Sequence, residues 1–501
     1  MLSATTSISL FHGIVFFGVA ITLWIISTVV YRLYFHPLAE FPGPRLAACS
    51  EFWFIRTWTG GRYPFDMSKL HRKYGDVVRI ATNELSFASP AAYRDIYNHV
   101  SKDRVLFPKD EVFYTVDSSV TRPSVLFTTD AQDHRSQRRS LSHAFGAKAL
   151  RDNEESVQAH VKVLIEQLGQ KAGPGTDGVN MSEVFNWLTF DIIGDLAFGE
   201  SFDALNQWKP NVWVSLLLSF VRQITFLPVF NRLSIPKSLF LPLIPKDFKE
   251  NIEMHNRLTA EKVQRRIEMG NSRDREDFFA HILRKEEGSL DVVHLREQAK
   301  ILIIAGSETT ASLFTGAMFY LLRCPDKMAK LQDEVRSAFS SMDVITADSV
   351  SNLEYLNAVI EESLRIFPPA TFGLPRVSTG ATVDGVYIPK GTVVSVDPWT
   401  TSHDDRNFAH PYEFIPERWI GEGLGDRKDA SRAFSLGPRA CLGINLAYME
   451  SRIALASLVF AYDWELLNTE LDWLSEVRIF AAWEKPQLMV RFHPRGDNHT
   501  V

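Results

Sequence analysis

One cysteine stands in the loop Phe434-Ser-Leu-Gly437-Pro-Arg439-Ala-Cys441-Leu-Gly443, directly ahead of an apolar stretch that predicts a helix from about Leu442 to Phe460. The glycines let the backbone turn tightly around the sulfur. Amides at a helix start, with the helix dipole, favour a thiolate over a thiol. A thiolate so held is a good ligand for iron; an inert buried thiol and a nucleophile are the other readings of a lone cysteine. A second group, Ala305-Gly306-Ser307-Glu308-Thr309-Thr310, interrupts an apolar run. Glycine and four polar residues are costly in an ordinary core helix. Ala305 and Thr309 are four apart and share one face, where small side chains leave room for a small bound ligand. The Thr309 hydroxyl and the Glu308 carboxylate beside it could relay protons there.

Two further sets are charged. Glu362 and Arg365 lie at i, i+3 on one helix face, a spacing most often met as a solvated surface pair. Pro416-Glu417-Arg418-Trp419 follows farther along. His134 and Arg138, four apart, together with Arg376 and Arg439, are candidate partners for carboxylates through charge-assisted bonds.

The cysteine loop resembles the haem-binding signature Phe-x-x-Gly-x-Arg-x-Cys-x-Gly of the cytochrome P450 family and matches it at Phe434, Gly437, Arg439, Cys441 and Gly443. Ala305–Thr310 resembles the acid–alcohol motif of the family's distal helix, with Glu308 as the acid and Thr309 as the alcohol. Glu362-Ser-Leu-Arg365 and Pro416-Glu417-Arg418-Trp419 resemble two further family motifs. The resemblance implies a mainly α fold with small β-sheets, the cytochrome P450 fold, and a haem b whose iron is bound by Cys441. It implies proton delivery by Glu308 and Thr309. Cofactor contacts are implied at His134, Arg138, Ala305, Arg376, Phe434, Arg439 and Gly443. Glu362, Arg365 and Arg418 take a structural role, locking the loop that leads to the cysteine. His134 departs from the Trp that the family often carries there, a variant shared by some fungal-type members.

These residues need elements to hold them. Between Asp291 and Cys324 there is no proline, and apolar positions recur at helical spacing, which predicts one helix long enough to cross a domain. Strands are predicted between Gly75 and Ser89, helices over most of 131–370, and short strands over 371–400, with turns at Asp384-Gly385 and Pro389-Lys390-Gly391. Residues 401–440 read as loop, and strand-like pieces close the chain near 477–482 and 487–492. No repeat or clean boundary divides residues 46–501, which form one catalytic domain. Leu10–Tyr31 holds no Asp, Glu, Lys or Arg and is long enough to cross a bilayer. Residues 10–31 are therefore read as a transmembrane anchor preceded by a lumenal stretch, 1–9. A proline-rich hinge, 32–45, follows, because Pro42 and Pro44 around Gly43 cannot continue a helix. A cleaved signal peptide would need a basic start and a small-residue cleavage site. Arg32, Arg45 and Arg56 follow the anchor and place the body in the cytosol, and a single-pass protein of the endoplasmic reticulum membrane is expected. The sequons at Asn180 and Asn498 then never meet the glycosylation machinery.

The chain has 501 residues, and 54 basic against 60 acidic residues give a net charge of −6. That balance exerts no global pull on nucleic acid. A content of 45% hydrophobic and 23% charged residues excludes disorder as the main state. Three cysteines exclude a disulfide scaffold. The resemblance implies a monooxygenase inserting one atom of O2 into a lipophilic small molecule by hydroxylation or epoxidation. Tyr31–Leu38 and the hinge look most like filamentous-fungal members that tailor secondary metabolites. Electrons are expected from NADPH through NADPH–cytochrome P450 reductase in the same membrane, docked on Arg135, Arg138, Arg139, Arg427, Lys428 and Arg432. Substrate contacts are expected from 107–125, 213–245, 371–374 and 480–483. A haem-thiolate isomerase or dehydratase, and a membrane haem carrier or sensor, are the rival readings; neither needs the intact acid–alcohol pair.

Overall fold

The computed structural model describes residues 2–99, 106–115, 120–209, 211, 213, 215–216, 221–222, 225–233, 246–270, 277–280 and 291–495. A helix over Leu2–Val30 runs into a π-turn, Tyr31–Phe35. Phe11–Phe35 is long and apolar enough to span a membrane, and most of its side chains are exposed, Phe16, Phe17, Leu23 and Trp24 among them. An apolar surface of this kind calls for a hydrocarbon environment. The span extends past Tyr31 because nothing breaks the helix before Pro37. Two other long apolar helices, Val292–Arg323 and Ile444–Ala461, are less apolar, mostly buried in the body and core elements.

The proline-rich segment is fastened, not free. The Arg79 amide donates to the Pro42 carbonyl at 2.8 Å, and a Cβ on Gly43 would strike the Arg79 carbonyl oxygen. The buried Arg79 guanidinium donates to the carbonyls of Arg32 (2.8 Å) and Thr82 (2.6 Å).

Strands are short: β1 Val77–Ala81, β2 Glu84–Phe87, β3 Val179–Asn180, β4 Arg376–Val377, β5 Ala381–Val383, β6 Val386–Ile388, β7 Val393–Val396, β8 Tyr462–Leu466, β9 Arg478–Phe480, β10 Ala482–Glu484 and β11 Met489–Pro494. They form sheets in the orders β1-β2-β7-β4, β3-β11-β8, β10-β9 and β5-β6. The β5–β6 turn takes positive φ at Asp384 (47°) and Gly385 (78°), the twist a two-residue hairpin needs. Asn180 is engaged structurally, its Oδ1 accepting from the amides of Ser182 (3.2 Å) and Leu488 (3.1 Å). Asn498 lies outside the described residues.

The core is helical. The long helix, Val292–Arg323, is capped by Asp291, whose Oδ1 accepts from the His294 amide at 3.0 Å. It packs along the Met181–Phe198 helix, where Phe185 stacks on Phe314 at 5.1 Å. A Cβ on Gly306 would lie 2.7 Å from Ile193 Cδ1. The mid-helix glycine thus serves this close helix contact.

A buried charge network ties the Glu354–Ile366 helix to the loop ahead of the cysteine. Arg365 grips Glu362 through Nε and Nη2, each at 2.8 Å. Arg418 Nε reaches the same carboxylate at 3.1 Å, Trp419 Nε1 at 2.9 Å, and the Ile415 amide at 2.9 Å. The remaining guanidinium donors go to the carbonyls of Ser402, Pro411, Glu413 and Ala409 and to the Asp426 carboxylate. Glu362, Arg365 and Arg418 are completely buried. Every guanidinium nitrogen has a partner, which such a cluster requires to offset its desolvation. Glu362→Gln removes the charge that both guanidiniums face. It is expected to lower stability by about 3–5 kcal/mol in denaturant unfolding, whereas Lys69→Gln, in an exposed pair with Asp66 at 3.5 Å, changes it by less than about 1 kcal/mol.

Candidate functional site

The cysteine loop is a chain of backbone constraints. Ser435 and Gly437 take positive φ, 60° and 71°. A Cβ on Gly437 would run into the Tyr97 carbonyl oxygen, so close approach as well as φ requires glycine there. Gly437–Arg439 makes a 3-10 turn, and the Cys441 amide closes the loop on the Phe434 carbonyl at 2.8 Å. Phe434 leans on Tyr448 of the Ile444–Ala461 helix, ring centres 5.3 Å apart. The Cys441 side chain has open surface, yet desolvation raises its thiol pKa, with the Gly443 amide and Arg138 pulling the other way. The helix start alone therefore does not deliver the thiolate that the sequence suggested. A cation at the sulfur would, because a coordinating thiol is deprotonated outright.

The long helix has an open face of its own. It is buried along most of its middle, but Ala305 and Thr309 are exposed. The Thr309 hydroxyl donates to the Ala305 carbonyl at 2.6 Å, leaving its oxygen lone pairs toward the open face. Glu308 is on a different face. It is buried and ion-paired with Lys485, a residue that no sequence motif singled out. Neighbours on a helix are about 100° apart, so the acid and the alcohol, adjacent in sequence, are split between core and exposed face.

Basic side chains converge beside the cysteine loop. Arg376 Nη1 donates to Tyr114 Oη at 2.8 Å and to the Pro375 carbonyl at 2.9 Å. Arg439 Nη1 donates to the Phe107 carbonyl at 2.8 Å and Arg138 Nη1 to the Ala440 carbonyl at 2.7 Å. Lys109 is buried, with Nζ on the carbonyls of Val125 (3.2 Å), Leu126 (2.7 Å) and Thr128 (2.9 Å). Burial first, then Arg376 and Arg439, pushes Lys109 down to about 6. Burial, then Lys109, Arg439, Arg138 and Arg376, holds His134 at about 4. Burial and Arg376 bring Arg439 down to about 10. No carboxylate is among the causes of these shifts. Among the described residues the cluster is short of negative charge, and with its pKa so depressed the His134 imidazole is neutral near pH 7. A cleft of about 520 Å³ opens at its edge, lined in part by His99, His134, Arg135, Arg139 and Arg439.

This donor set fits a haem. The cysteine supplies a soft ligand, the cations have no carboxylate partner among the described residues, and Ala305 and Thr309 leave an open face. Sequence reading missed Lys109 and Tyr114, which no local pattern marks. Of the expected substrate segments, 107–125 and 371–374 meet: Phe113 and Phe372 pack edge-on against Trp58 at ring separations of 6.0 and 5.1 Å and lie tilted 6.2 Å from each other. Trp483 is instead core, stacked on Phe367 at 4.6 Å and bonded to the Pro368 carbonyl at 2.9 Å. Most of 213–245 lies outside the described residues.

A family model described as Cytochrome P450 matches residues 43–490. Cytochrome P450 monooxygenase BOA3 of Botryotinia fuckeliana (strain B05.10) is 41% identical over 478 residues, covering 92% of either chain. Cytochrome P450 monooxygenase BOT4 of Botryotinia fuckeliana is 39% identical over 464 residues, 92% of this chain and 88% of that one. Cytochrome P450 monooxygenase poxC of Penicillium oxalicum is 38% identical over 486 residues, 95% and 94% of the two chains. These matches run through the fastened proline segment, the long helix, the Glu362 network and the cysteine loop, and the chain belongs to the cytochrome P450 family, as an oxidoreductase of the monooxygenase class.

Proposed function

We propose that this protein inserts one oxygen atom from O2 into a lipophilic small molecule, by hydroxylation or epoxidation, at a haem held by Cys441. The observation that carries the reading is the group of basic side chains without a counter-charge beside a cysteine with open surface. When bound, the haem supplies the oxygen-activating redox chemistry. Cys441 binds through sulfur. The Gly443 amide and Arg138 stabilise its negative charge, and Phe434 packs beside the loop. Arg138, Arg376 and Arg439 neutralise the propionates, and His134 donates a neutral N–H. Ala305 keeps the distal face open, and the Thr309 hydroxyl holds water there and passes protons that Glu308 supplies. Phe113, Phe372 and Trp58 offer an aromatic wall to an apolar substrate.

Residues 10–31 anchor the chain, 1–9 lie in the lumen, 32–45 link anchor to body, and 46–501 form the catalytic domain facing the cytosol from the endoplasmic reticulum membrane. NADPH–cytochrome P450 reductase delivers the electrons. Arg135 and Arg139, exposed and four apart on the Ala131–Ser142 helix, suit an acidic partner; Arg138 points to the cysteine loop instead. The fungal monooxygenases matched above support a place in secondary-metabolite biosynthesis. The acid and alcohol retained at Glu308 and Thr309 favour oxygenation over isomerisation, dehydration or haem carriage.

Membranes holding the full chain and reductase, given NADPH, 18O2 and candidate metabolites, are expected to yield a product carrying one 18O atom; conversion without O2 would support the isomerase reading. Arg439→Gln is expected to speed haem loss to a scavenger protein by about tenfold to a hundredfold, one charge-assisted bond of about 1.5–3 kcal/mol. His134→Trp, which keeps an N–H, is expected to leave that rate nearly unchanged, and His134→Phe to raise it.

A further inference from the structure

The segment 371–374, which carries Phe372, has no helix or strand to hold it. Contacts with its neighbours fix its backbone instead. The Gly373 amide donates to Asp397 Oδ1. The Leu374 carbonyl accepts from Tyr97 Oη at 2.9 Å and from Arg376 Nη1 at 3.4 Å, and the Trp399 amide reaches the Thr371 carbonyl at 3.4 Å. The fit is close: a Cβ on Gly373 would lie 2.6 Å from Ser395 Cβ and 2.8 Å from the Val396 nitrogen. Phe372 sits between the Thr371 and Gly373 contacts, its ring centre 5.1 Å from that of Trp58 and 6.2 Å from that of Phe113.

The anchoring aspartate forgoes the task its position offers. Asp397 follows β7 and is the N-cap residue of the Pro398–Ser402 helix. An aspartate there ordinarily accepts from amides of its own helix. The Asp397 side chain makes no capping bond and turns to Gly373. It is completely buried, and its Oδ2 has no hydrogen-bond partner among the described residues. Burial pushes its pKa up to about 7, the Gly373 amide opposing the rise and the Glu84 charge adding to it, and no cation is among the causes. A buried acid without a counter-charge costs folding free energy, and the unused cap removes a further gain. Stability alone gives no reason for this arrangement, whereas the hold on Gly373 does.

We propose that Asp397 is a positioning residue for substrate specificity: through the Gly373 amide it sets where Phe372 stands in the aromatic wall, and so which apolar groups the wall accepts. Tyr97 holds the same segment one residue farther along, at the Leu374 carbonyl. Neither side chain needs to touch the substrate. A radial gap of about 0.5–1 Å already forfeits a quarter to a half of a dispersion contact, so a small shift of the segment registers at the ligand. This inference rests on the aromatic wall proposed above and adds the groups that place it.

The test is azole binding to the full-length holoprotein in lipid, read from the Soret shift. Imidazole reaches the iron only, and clotrimazole adds three aryl groups for the wall to hold, so the ratio of their Kd values reports the wall. Asp397→Ser keeps a residue able to cap the helix but is too short to reach Gly373. It should weaken clotrimazole binding by about threefold to tenfold, the worth of one aromatic contact, with imidazole binding and melting temperature near those of wild type. Asp397→Asn keeps the acceptor oxygen and should restore the ratio. Phe372→Ala should weaken clotrimazole binding by a similar factor, and Asp397→Ser should add nothing in that background. Tyr97→Phe, which keeps the ring and removes the hold on Leu374, should move the ratio in the same direction and carries the test if Asp397→Ser does not fold. An unchanged ratio in these anchor variants beside a weakened Phe372→Ala overturns the proposal, and so do additive effects in the double variant. A lower melting temperature with an unchanged ratio marks a role in stability alone and refutes it too. If Phe372→Ala binds clotrimazole as tightly as wild type, the aromatic wall fails and the proposal with it. Absence of 18O incorporation by the wild type would instead refute the monooxygenase reading, whatever the azole ratio.

Discussion

Two guanidiniums share one carboxylate at zero solvent exposure, and the position of the cysteine loop depends on it. Glu362 serves Arg365, Arg418, Trp419 and the Ile415 amide together. Taking these charges from water costs several kcal/mol per ion, and complete pairing offsets that cost. The geometry spans the Glu354–Ile366 helix and the loop from Ser402 to Asp426, a stretch with little regular structure of its own. Without the network that loop would have few reasons to take one path, and the Phe434–Cys441 turn follows directly from it. The buried charge therefore specifies conformation as much as it adds stability.

The second charge cluster has the opposite character. Lys109, Arg138, Arg376 and Arg439 are gathered by backbone carbonyls and the Tyr114 hydroxyl, and burial together with their positive charge lowers the proton affinity of Lys109, His134 and Arg439. Such a cluster costs folding free energy until an anion joins it. Binding of a dicarboxylate cofactor and stability of the fold are coupled for that reason. One protein thus holds a satisfied set of charges that shapes the loop and an unsatisfied set that waits for the ligand.

Much of this was legible in the sequence, because it was local. Asp291 and Cys324 bracket an uninterrupted apolar periodicity, and the helix spans Val292–Arg323. Asp384-Gly385 is a turn at which both residues need positive φ, and it lies between β5 and β6. Gly437 and Cys441 sit within one loop motif. What was hidden is long-range. Lys109 reads as an ordinary lysine until the fold wraps three carbonyls around it. Lys485 lies far along the chain from Glu308. Gly306 read as a costly residue in a core helix, and the reason for it, close approach to Ile193 of a neighbouring helix, is visible only in the fold. The split of Glu308 and Thr309 between two faces follows from helical geometry, but which face is core is decided by packing partners that the sequence does not order.

The central claim is that the Cys441 sulfur is the iron ligand. Its most direct test is the absorption spectrum of the reduced, CO-bound full-length protein. Wild type should give the Soret band that the family's thiolate ligation implies, and Cys441→Ser should lose that band while keeping the helical circular dichroism of the folded chain. Retention of the thiolate-type band by Cys441→Ser would contradict the account.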